Sequence, residues 1–136
     1  MFVDASAIVA ILTRESDADA LADALEAAVA PVTSRIAVFE AVLGICLKRH
    51  ASVEEAGADV QAFLDASGVS VLPITSAETD IALVAFSRYG KGRRHPAQFN
   101  LGDCFAYAMA KSHRMPLLFK GDDFTQTDIA AEAGRG

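Results

Sequence analysis

The sequence predicts an α/β fold in which a parallel sheet is covered by helices on both faces. Short apolar stretches of strand length alternate along the chain with longer stretches of helical periodicity, a pattern typical of parallel sheets. Hydrophobic residues make up 52% of the 136 residues, which is ample for one packed core. We therefore expect one domain over residues 1–136, without internal repeats or long linkers.

The chain opens with a short strand and two helices. Residues 1–3 are apolar and predict a buried strand that ends at Asp4, and residues 5–12 predict a first short helix. Residues 16–29 predict a second helix, because apolar side chains recur there at helical spacing while the acids fall largely off that stripe. The stripe consists of Leu21, Leu25 and Val29.

The next helix is apolar around most of its circumference. Residues 31–33 predict a strand, and Ser34 is a suitable N-cap for a helix that runs to about Arg49. Glu40 lies within the first of two apolar stripes. The stripes are Ile36, Phe39, Leu43 and Leu47 on one side and Val38, Val42 and Ile45 on the other. Such a helix is expected to bury more than one face, under neighbouring helices or in a subunit interface.

Two further helix starts are marked by a serine or threonine followed three positions later by glutamate. The first, at 52–55, predicts a helix to about Ala66 that ends at Gly68. The second, at 75–78, follows a predicted strand over residues 69–74. The inner side of its helix is predicted to be Ile81, Val84 and Ala85.

A basic segment at 88–95 contains two glycines and is expected to be irregular. Its cations suit contact with an RNA backbone, and an exposed solubilising turn is the alternative. They are Arg88, Lys91, Arg93 and Arg94. The net charge of −6 argues against a general nucleic-acid coat protein, since such proteins bind by neutralising phosphates.

The last part of the chain predicts a helix, a strand and a turn. An alanine-rich helix opens at Asp103 and ends near Arg114, and residues 116–120 predict a strand. A turn follows at 121–124, and residues 127–129 predict a last strand or short helix. The alternation of strands and helices therefore continues to the end of the chain.

Neither a membrane span nor a zinc site is predicted. Acids break the longest apolar run well before the ~20 residues that a span needs, and the first twelve residues lack a basic leader, so we expect a soluble, cytoplasmic protein. Cys46 and Cys104 lie within apolar helical patterns, which favours reduced core thiols. The histidines, His50, His95 and His113, have neither zinc spacing nor a partnered nucleophile.

Several acids stand where a catalytic site is expected. Asp4 and Asp122 follow strands, and sites in open α/β sheets form beyond the carboxyl ends of strands. Asp103 opens a helix, whose N–H groups stabilise a carboxylate. Glu40 lies among apolar residues, where an ionised carboxylate is costly unless it is paired or metal-bound. Each aspartate also has an ordinary explanation as a turn former or helix cap, and Asp123 shares the turn of Asp122.

A shared metal site would explain these acids together. Converging carboxylates repel one another, which raises their pKa values unless a divalent cation neutralises them. Oxygen ligands suit Mg²⁺, with Mn²⁺ able to replace it. Such an ion can activate water and stabilise the charge that develops during phosphodiester hydrolysis.

Four blocks in a fixed order resemble a known family. They are Phe2-Val3-Asp4-Ala5-Ser6-Ala7, Glu40, Leu101-Gly102-Asp103-Cys104 and Gly121-Asp122-Asp123-Phe124-x-x-Thr127-Asp128. The sequence resembles the PIN-domain ribonucleases and, more narrowly, the VapC toxins of bacterial type II toxin–antitoxin systems. The resemblance runs nearly end to end, and it implies a three-layer α/β/α sandwich around a central parallel sheet.

Carried over to matching positions, the resemblance implies a Mg²⁺-dependent endoribonuclease that hydrolyses RNA with metal-activated water and without a covalent intermediate. Asp4 and Asp103 are the implied direct ligands, and Glu40 acts directly or through water. The fourth acid matches Asp122 best, with the adjacent Asp123 as the alternative, and many family members space this acid one residue further from the phenylalanine. Ser6 supports the site by hydrogen bonding or, alternatively, caps the first helix.

The resemblance also implies partners. Similar toxins are commonly homodimers, and each is neutralised by a cognate antitoxin whose tail covers or enters the acidic groove. The two-sided apolar helix over residues 35–49 is an independent indication of a partner surface.

Two other functions remain open at this point. A haloacid-dehalogenase-like phosphatase also places an aspartate after its first strand, but Ser6 stands where a second acid is expected and the spacing from Asp122 to Asp128 is too long. A degenerate PIN-like domain that binds a protein or RNA partner without catalysis is the non-enzymatic alternative.

Overall fold

The fold is organised around a parallel sheet that is covered by helices. A computed structural model of the chain describes residues 1–129. The strands are β1 (Phe2–Val3), β2 (Val32–Ser34), β3 (Ser70–Leu72) and β4 (Leu117–Leu118). Their order is β3-β2-β1-β4, and every neighbouring pair is parallel. Phe2 of β1 therefore pairs with Val32 on one side and Leu117 on the other.

Helices cover both faces of this sheet. They are α1 (Ala5–Leu12), α2 (Ala18–Ala27), α3 (Arg35–Arg49), α4 (Val53–Ser67), α5 (Ser76–Tyr89) and α6 (Leu101–Ser112). Successive strand residues point to opposite faces, so Phe2 packs with α5 and α6 whereas Val3 packs with α1, α2 and α4. The predicted three-layer α/β/α fold is confirmed. No helix within residues 1–129 has both the length and the apolar character needed to cross a membrane.

Local capping determines where several helices begin and end, as predicted. The Ser34 hydroxyl oxygen accepts a hydrogen bond from the Ala37 N–H at 3.2 Å and starts α3. Ser52 and Glu55 form a reciprocal capping box at the start of α4. That helix ends at Gly68, whose φ of 66° lies in the left-handed region that favours glycine.

Two predictions about helix and strand limits were wrong. The α2 stripe does not include Val29, because the helix ends at Ala27 and Val29 is 91% exposed. Residues 127–129 form neither a strand nor a helix. The Thr127 hydroxyl and N–H both donate to the Phe124 carbonyl, which makes this segment a turn.

The inner side of α5 was only partly predicted. Ala85 is buried as expected, but Val84 is exposed and Ile81 is only partly buried. The buried apolar face is instead formed by Ala82, Ala85 and Tyr89. This face packs against α6, which is itself rich in buried alanine, so small side chains allow the two helices to approach closely.

Helix α3 buries one apolar side and exposes the other. Ala41 and Ile45 are fully buried between α1 and α4, and Ala37 packs on the α5–α6 side. The remaining apolar stripe is open to solvent, with Phe39 66% and Leu47 79% exposed. The prediction that this helix buries more than one face is therefore met within the described residues on one side only.

Candidate metal centre

The carboxyl ends of β1 and β4, the middle of α3 and the start of α6 surround an open pocket of about 460 Å³ at one edge of the sheet. Its lining combines acids from four separate parts of the chain with a few other polar groups. The polar side chains are those of Asp4, Ser6, Glu15, Glu40, Asn100, Asp103, Lys120 and Asp123. The sheet edge therefore collects residues that are far apart in sequence.

Asp4 is held in place by strand pairing and by its own helix. Its N–H donates to the Leu118 carbonyl at 3.0 Å. Its Oδ2 accepts from the Ser6 N–H at 3.1 Å and from the Ser6 hydroxyl at 2.5 Å. The Ser6 Oγ in turn accepts from the Lys120 N–H at 3.0 Å. Asp4 is thus the N-cap of α1, and the Ser6 hydroxyl links its carboxylate to the end of β4.

Asp103 is oriented by a reciprocal cap at the start of α6. Its N–H donates to Asn100 Oδ1 at 2.8 Å, and its Oδ2 accepts from the Asn100 N–H at 3.0 Å. The residue is only 7% exposed. The hydrogen bonds that begin the helix therefore also fix the direction of a buried carboxylate.

Glu40 reaches the pocket from α3 because Gly102 has no side chain. A Cβ atom at Gly102 would lie less than 3.0 Å from both Glu40 carboxylate oxygens, closer than real Cβ contacts allow. The carboxylate therefore rests on the backbone of the first turn of α6. This contact joins the second acid block of the sequence to the third.

The structure places Asp123, and not Asp122, along the pocket. Gly121 has a φ of 97°, a left-handed conformation that favours glycine, and the chain turns there directly after β4. The Asp122 carbonyl accepts from the Thr125 N–H and hydroxyl, which shapes the turn. The geometry thus favours Asp123, the alternative that the sequence left open, as the fourth acid of the pocket.

Burial and mutual repulsion raise the pKa values of Asp4, Glu40 and Asp103. Burial raises the pKa of Asp4, although hydrogen bonds from Ser6 oppose the shift and the charge of Asp123 adds to it. Burial raises the pKa of Asp103 to about 8, with further contributions from the charges of Asp123, Asp4 and Glu40. Burial, followed by the charge of Asp4, raises the pKa of Glu40 to about 7. Near neutral pH the pocket therefore holds protons that a cation would displace.

The donor set fits a hard divalent cation. Every candidate ligand is an oxygen atom, which suits Mg²⁺ or Mn²⁺ and not zinc. Within residues 1–129, no three His, Cys, Asp or Glu side chains already stand close enough to hold an ion. Carboxylates that repel one another are expected to draw together only around the ion that neutralises them.

The predicted RNA-contact residues lie outside this pocket. Arg88 is on α5, and the other three cations are exposed on the loop between α5 and α6. The base of that loop is closed, since the Lys91 N–H donates to the Phe99 carbonyl at 2.8 Å and the Phe99 N–H donates to the Tyr89 carbonyl at 2.7 Å. The loop therefore ends immediately before Asn100, the N-cap that orients Asp103.

Three polar residues that line the pocket were not predicted as part of the site: Glu15, Asn100 and Lys120. Gly102, on which the Glu40 carboxylate rests, was not predicted either. Asn100 stands three positions before Asp103, the spacing of a capping box, so a local signal existed. Gly102 is next to Asp103, but it matters because Glu40 of α3 rests on it, and no local sequence pattern shows that contact. Glu15 and Lys120 meet only in the folded chain.

Comparisons with known proteins agree with this geometry. The family description "PIN domain" matches residues 1–130. The chain is 40% identical over 129 residues to "VapC ribonuclease Mb2780c" of Mycobacterium bovis, covering 95% of this chain and 96% of that protein. Its fold is similar to that of VapC20 of Mycobacterium tuberculosis, described as a sarcin-ricin loop cleaving toxin, with a TM-score of 0.74, 16% identity and 95% of each chain covered. A toxin–antitoxin complex from Klebsiella pneumoniae gives a TM-score of 0.67 at 19% identity, covering 93% of this chain and 92% of that chain.

Proposed function

This chain belongs to the PIN-domain family, in its VapC branch of ribonuclease toxins, and we propose that it cleaves RNA with Mg²⁺ held by Asp4, Glu40, Asp103 and Asp123. Mn²⁺ is proposed as a substitute ion. One observation carries the proposal: carboxylates from four separate parts of the chain meet in one pocket, and burial and mutual repulsion raise the pKa values of three of them. Such a group of acids is stable in its ionised form only beside a cation.

Asp4 and Asp103 are proposed as the direct ligands. Both are buried and oriented by hydrogen bonds from their own helix starts, so little ordering is needed when the ion binds. Glu40 and Asp123 complete the site, directly or through water. When bound, a divalent ion would polarise a water molecule and offset the charge that builds up on the phosphate.

Glu40 is the proposed proton acceptor. Its carboxylate reaches from α3 into the pocket that Asp4 and Asp103 also line, where one of its oxygens can take a proton from the attacking water and release it again. The water oxygen forms a bond to phosphorus, the bond to the sugar oxygen breaks, and that oxygen leaves with a proton. The RNA phosphodiester is thereby hydrolysed.

The site favours direct attack by water over a covalent intermediate. The Ser6 hydroxyl is the nucleophilic side chain nearest to Asp4, and it donates to Asp4 Oδ2 while accepting from the Lys120 N–H. A nucleophilic serine needs a general base that takes its proton. Here the carboxylate that accepts the proton is itself proposed as a metal ligand, so Ser6 acts by orienting Asp4.

The family assignment removes one of the two alternative functions and leaves the other to be tested. A haloacid-dehalogenase-like phosphatase is set aside, because the PIN-domain match spans residues 1–130. A degenerate, non-catalytic domain would not need four acids in one pocket, and it is the outcome against which the proposal is tested. We assign residues 1–136 to one nuclease domain.

The proposed partners are an RNA substrate, a cognate antitoxin and a second copy of the chain. The support for an antitoxin is the fold shared with a chain of a toxin–antitoxin complex. The support for a homodimer is the exposed apolar stripe of α3, where Phe39, Leu43 and Leu47 lack neighbours within the described part of the chain that would bury them. Action in the cytoplasm is proposed because the RNA substrate and reduced cysteines both belong there.

Asp4→Asn and Asp103→Asn test the proposal. Each replaces one carboxylate oxygen by an amide of nearly equal size, so we expect both purified variants to fold but to lose RNA cleavage across a Mg²⁺ titration. Asp59→Asn on α4 is the matched control, because Asp59 is exposed and lies outside the pocket. Cleavage by both pocket variants that is undiminished and independent of metal would overturn the proposal. A wild-type chain without activity in Mg²⁺ or Mn²⁺ would favour the non-catalytic alternative.

A further inference from the structure

We propose that Lys120 binds a phosphate of the RNA backbone next to the phosphate that is cleaved. The inference rests on the proposed ribonuclease function and names a substrate-binding residue for that site. Among the described residues that line the acidic pocket, Lys120 is the one lysine or arginine. It is not among the basic residues of the α5–α6 loop.

The main chain of Lys120 is linked through Ser6 to Asp4, one of the proposed metal ligands. Its N–H donates to the Ser6 hydroxyl oxygen at 3.0 Å, and that hydroxyl donates to Asp4 Oδ2 at 2.5 Å. Only one side chain therefore separates the Lys120 backbone from the carboxylate of Asp4. A ligand bound at Asp4 lies within the reach of the long Lys120 side chain.

The ammonium group of Lys120 is held at the rim of the pocket by two carboxylates. Its Nζ lies 2.7 Å from Glu15 Oε1 and 3.1 Å from Asp17 Oδ1. Both acids belong to the turn between α1 and α2, and not to the group proposed to bind metal. Glu15 lines the pocket and Asp17 does not, so the ammonium group lies where the pocket meets this turn, which places Lys120 for a neighbouring phosphate.

These ion pairs can be exchanged for a phosphate contact. The side chains of Lys120, Glu15 and Asp17 are 32%, 20% and 33% exposed, so water reaches both ion pairs and weakens them. An incoming phosphate offers the same kind of charged oxygen acceptor as Glu15 and Asp17. The two carboxylates therefore keep the lysine ordered until RNA replaces one of them.

Electrostatics supply the reason for a cation at this position. Five carboxylates, including Glu15, line the pocket, and the chain carries a net charge of −6. A polyanionic substrate that approaches such a pocket is repelled unless positive charge meets it there. The metal ion acts at the acids themselves, so a separate cation at the rim is needed for the adjoining backbone.

Lys48 provides a matched control. Its Nζ lies 2.6 Å from Glu15 Oε2, so it shares a carboxylate partner with Lys120. Lys48 does not line the pocket. If Lys120 only fastens the α1–α2 turn, the variants Lys120→Gln and Lys48→Gln are expected to behave alike.

The test measures binding of a fluorescein-labelled single-stranded RNA of mixed sequence by anisotropy over a salt series, with Ca²⁺ in place of Mg²⁺. We expect Lys120→Gln to weaken binding about tenfold, as for loss of a charge-assisted hydrogen bond. Loss of one phosphate contact is also expected to reduce the slope of log K against log salt by about 0.7. Lys120→Arg should retain most of the affinity. Glu15→Gln, which removes a competing carboxylate, should strengthen binding.

Kinetics and melting temperatures provide the second readout. In Mg²⁺, Lys120→Gln should raise KM for cleavage of this RNA more than it lowers kcat, while its melting temperature matches that of Lys48→Gln. Equal salt slopes and equal KM values for the two glutamine variants would overturn the inference while leaving ribonuclease activity established. An inactive wild type that still shows the Lys120-dependent slope would overturn the proposed function and keep Lys120 only as a contact to the RNA backbone. A wild type that binds no RNA would overturn both.

Discussion

Replacing Gly102 by alanine moves the Glu40 carboxylate without removing it. A methyl group at Gly102 would overlap both Glu40 oxygens, and ordinary van der Waals contact begins at 3.4 Å. The carboxylate must therefore retreat by more than 1 Å, and a misplacement of about 1 Å already costs about 100-fold in rate when the group takes part in catalysis. We expect Gly102→Ala to lose about this much cleavage activity.

The same substitution should leave the fold intact. The group that must move is the free end of a flexible side chain, and alanine in a helix is more favourable than glycine by about 0.5–1 kcal/mol. The free energy of unfolding of Gly102→Ala should therefore lie within about 1 kcal/mol of the wild type. Thermal melting followed by circular dichroism measures it. Gly57→Ala on α4 is the control, because a Cβ there meets no atom within 4 Å and should leave cleavage unchanged.

A double-mutant cycle tests whether the loss of activity in Gly102→Ala arises from displacement of Glu40. If Gly102→Ala acts by displacing Glu40, it should cost little further activity in a Glu40→Ala background, since the displaced group is already absent. Cleavage rates of the four proteins in Mg²⁺ give the coupling. Full activity of Gly102→Ala would refute the proposed contact, and an undiminished further loss in the Glu40→Ala background would show that the effect arises elsewhere in α6.

Further predictions concern the fourth acid and pH. Asp123→Asn should reduce cleavage or metal affinity by about 10- to 100-fold, as for outer ligands of metal sites, whereas Asp122→Asn should have a small effect; a reversed order in Mg²⁺ titrations would restore Asp122. Without metal, the pKa values of Glu40 and Asp103 in the folded chain are raised to about 7 and about 8, so folding favours the protonated forms of both groups. The stability that these protonated groups contribute is present at low pH and is lost as pH rises through these values. Mg²⁺ should therefore raise the melting temperature more at about pH 9 than at about pH 6, and an equal or opposite increment would contradict the assigned pKa shifts.

Much of the fold was predictable because its signals are local. The capping sequence at Ser52 and Glu55, the N-cap at Ser34 and the apolar strand before Asp4 each depend on neighbouring residues, and the structure has helices and a strand at these places. The inner side of α5 was less predictable, because the alanine-rich surface of α6 determines which α5 residues are buried. A helical stripe read from one segment does not show the side-chain size of its partner.

The residues of the candidate site were likewise predictable only where their signals are local in sequence. Asp4 and Asp103 were identifiable because strand ends and helix starts have recognisable sequences. Glu40 was identifiable as an acid in an apolar stripe, but its seat on Gly102 is a contact between α3 and α6 that sequence spacing does not contain. The choice between Asp122 and Asp123 depends on the left-handed turn at Gly121, which decides which of two adjacent side chains faces the pocket.

The closed base of the α5–α6 loop has a consequence for how such an enzyme diversifies. The hydrogen bonds between Tyr89, Lys91 and Phe99 clamp the two ends of the basic segment together just before Asn100. Substitutions among the exposed residues inside the clamp leave the position of Asp103 unchanged. Side chains inside this clamp can therefore be exchanged, and the surface of the molecule altered in charge and shape, without disturbing the start of α6.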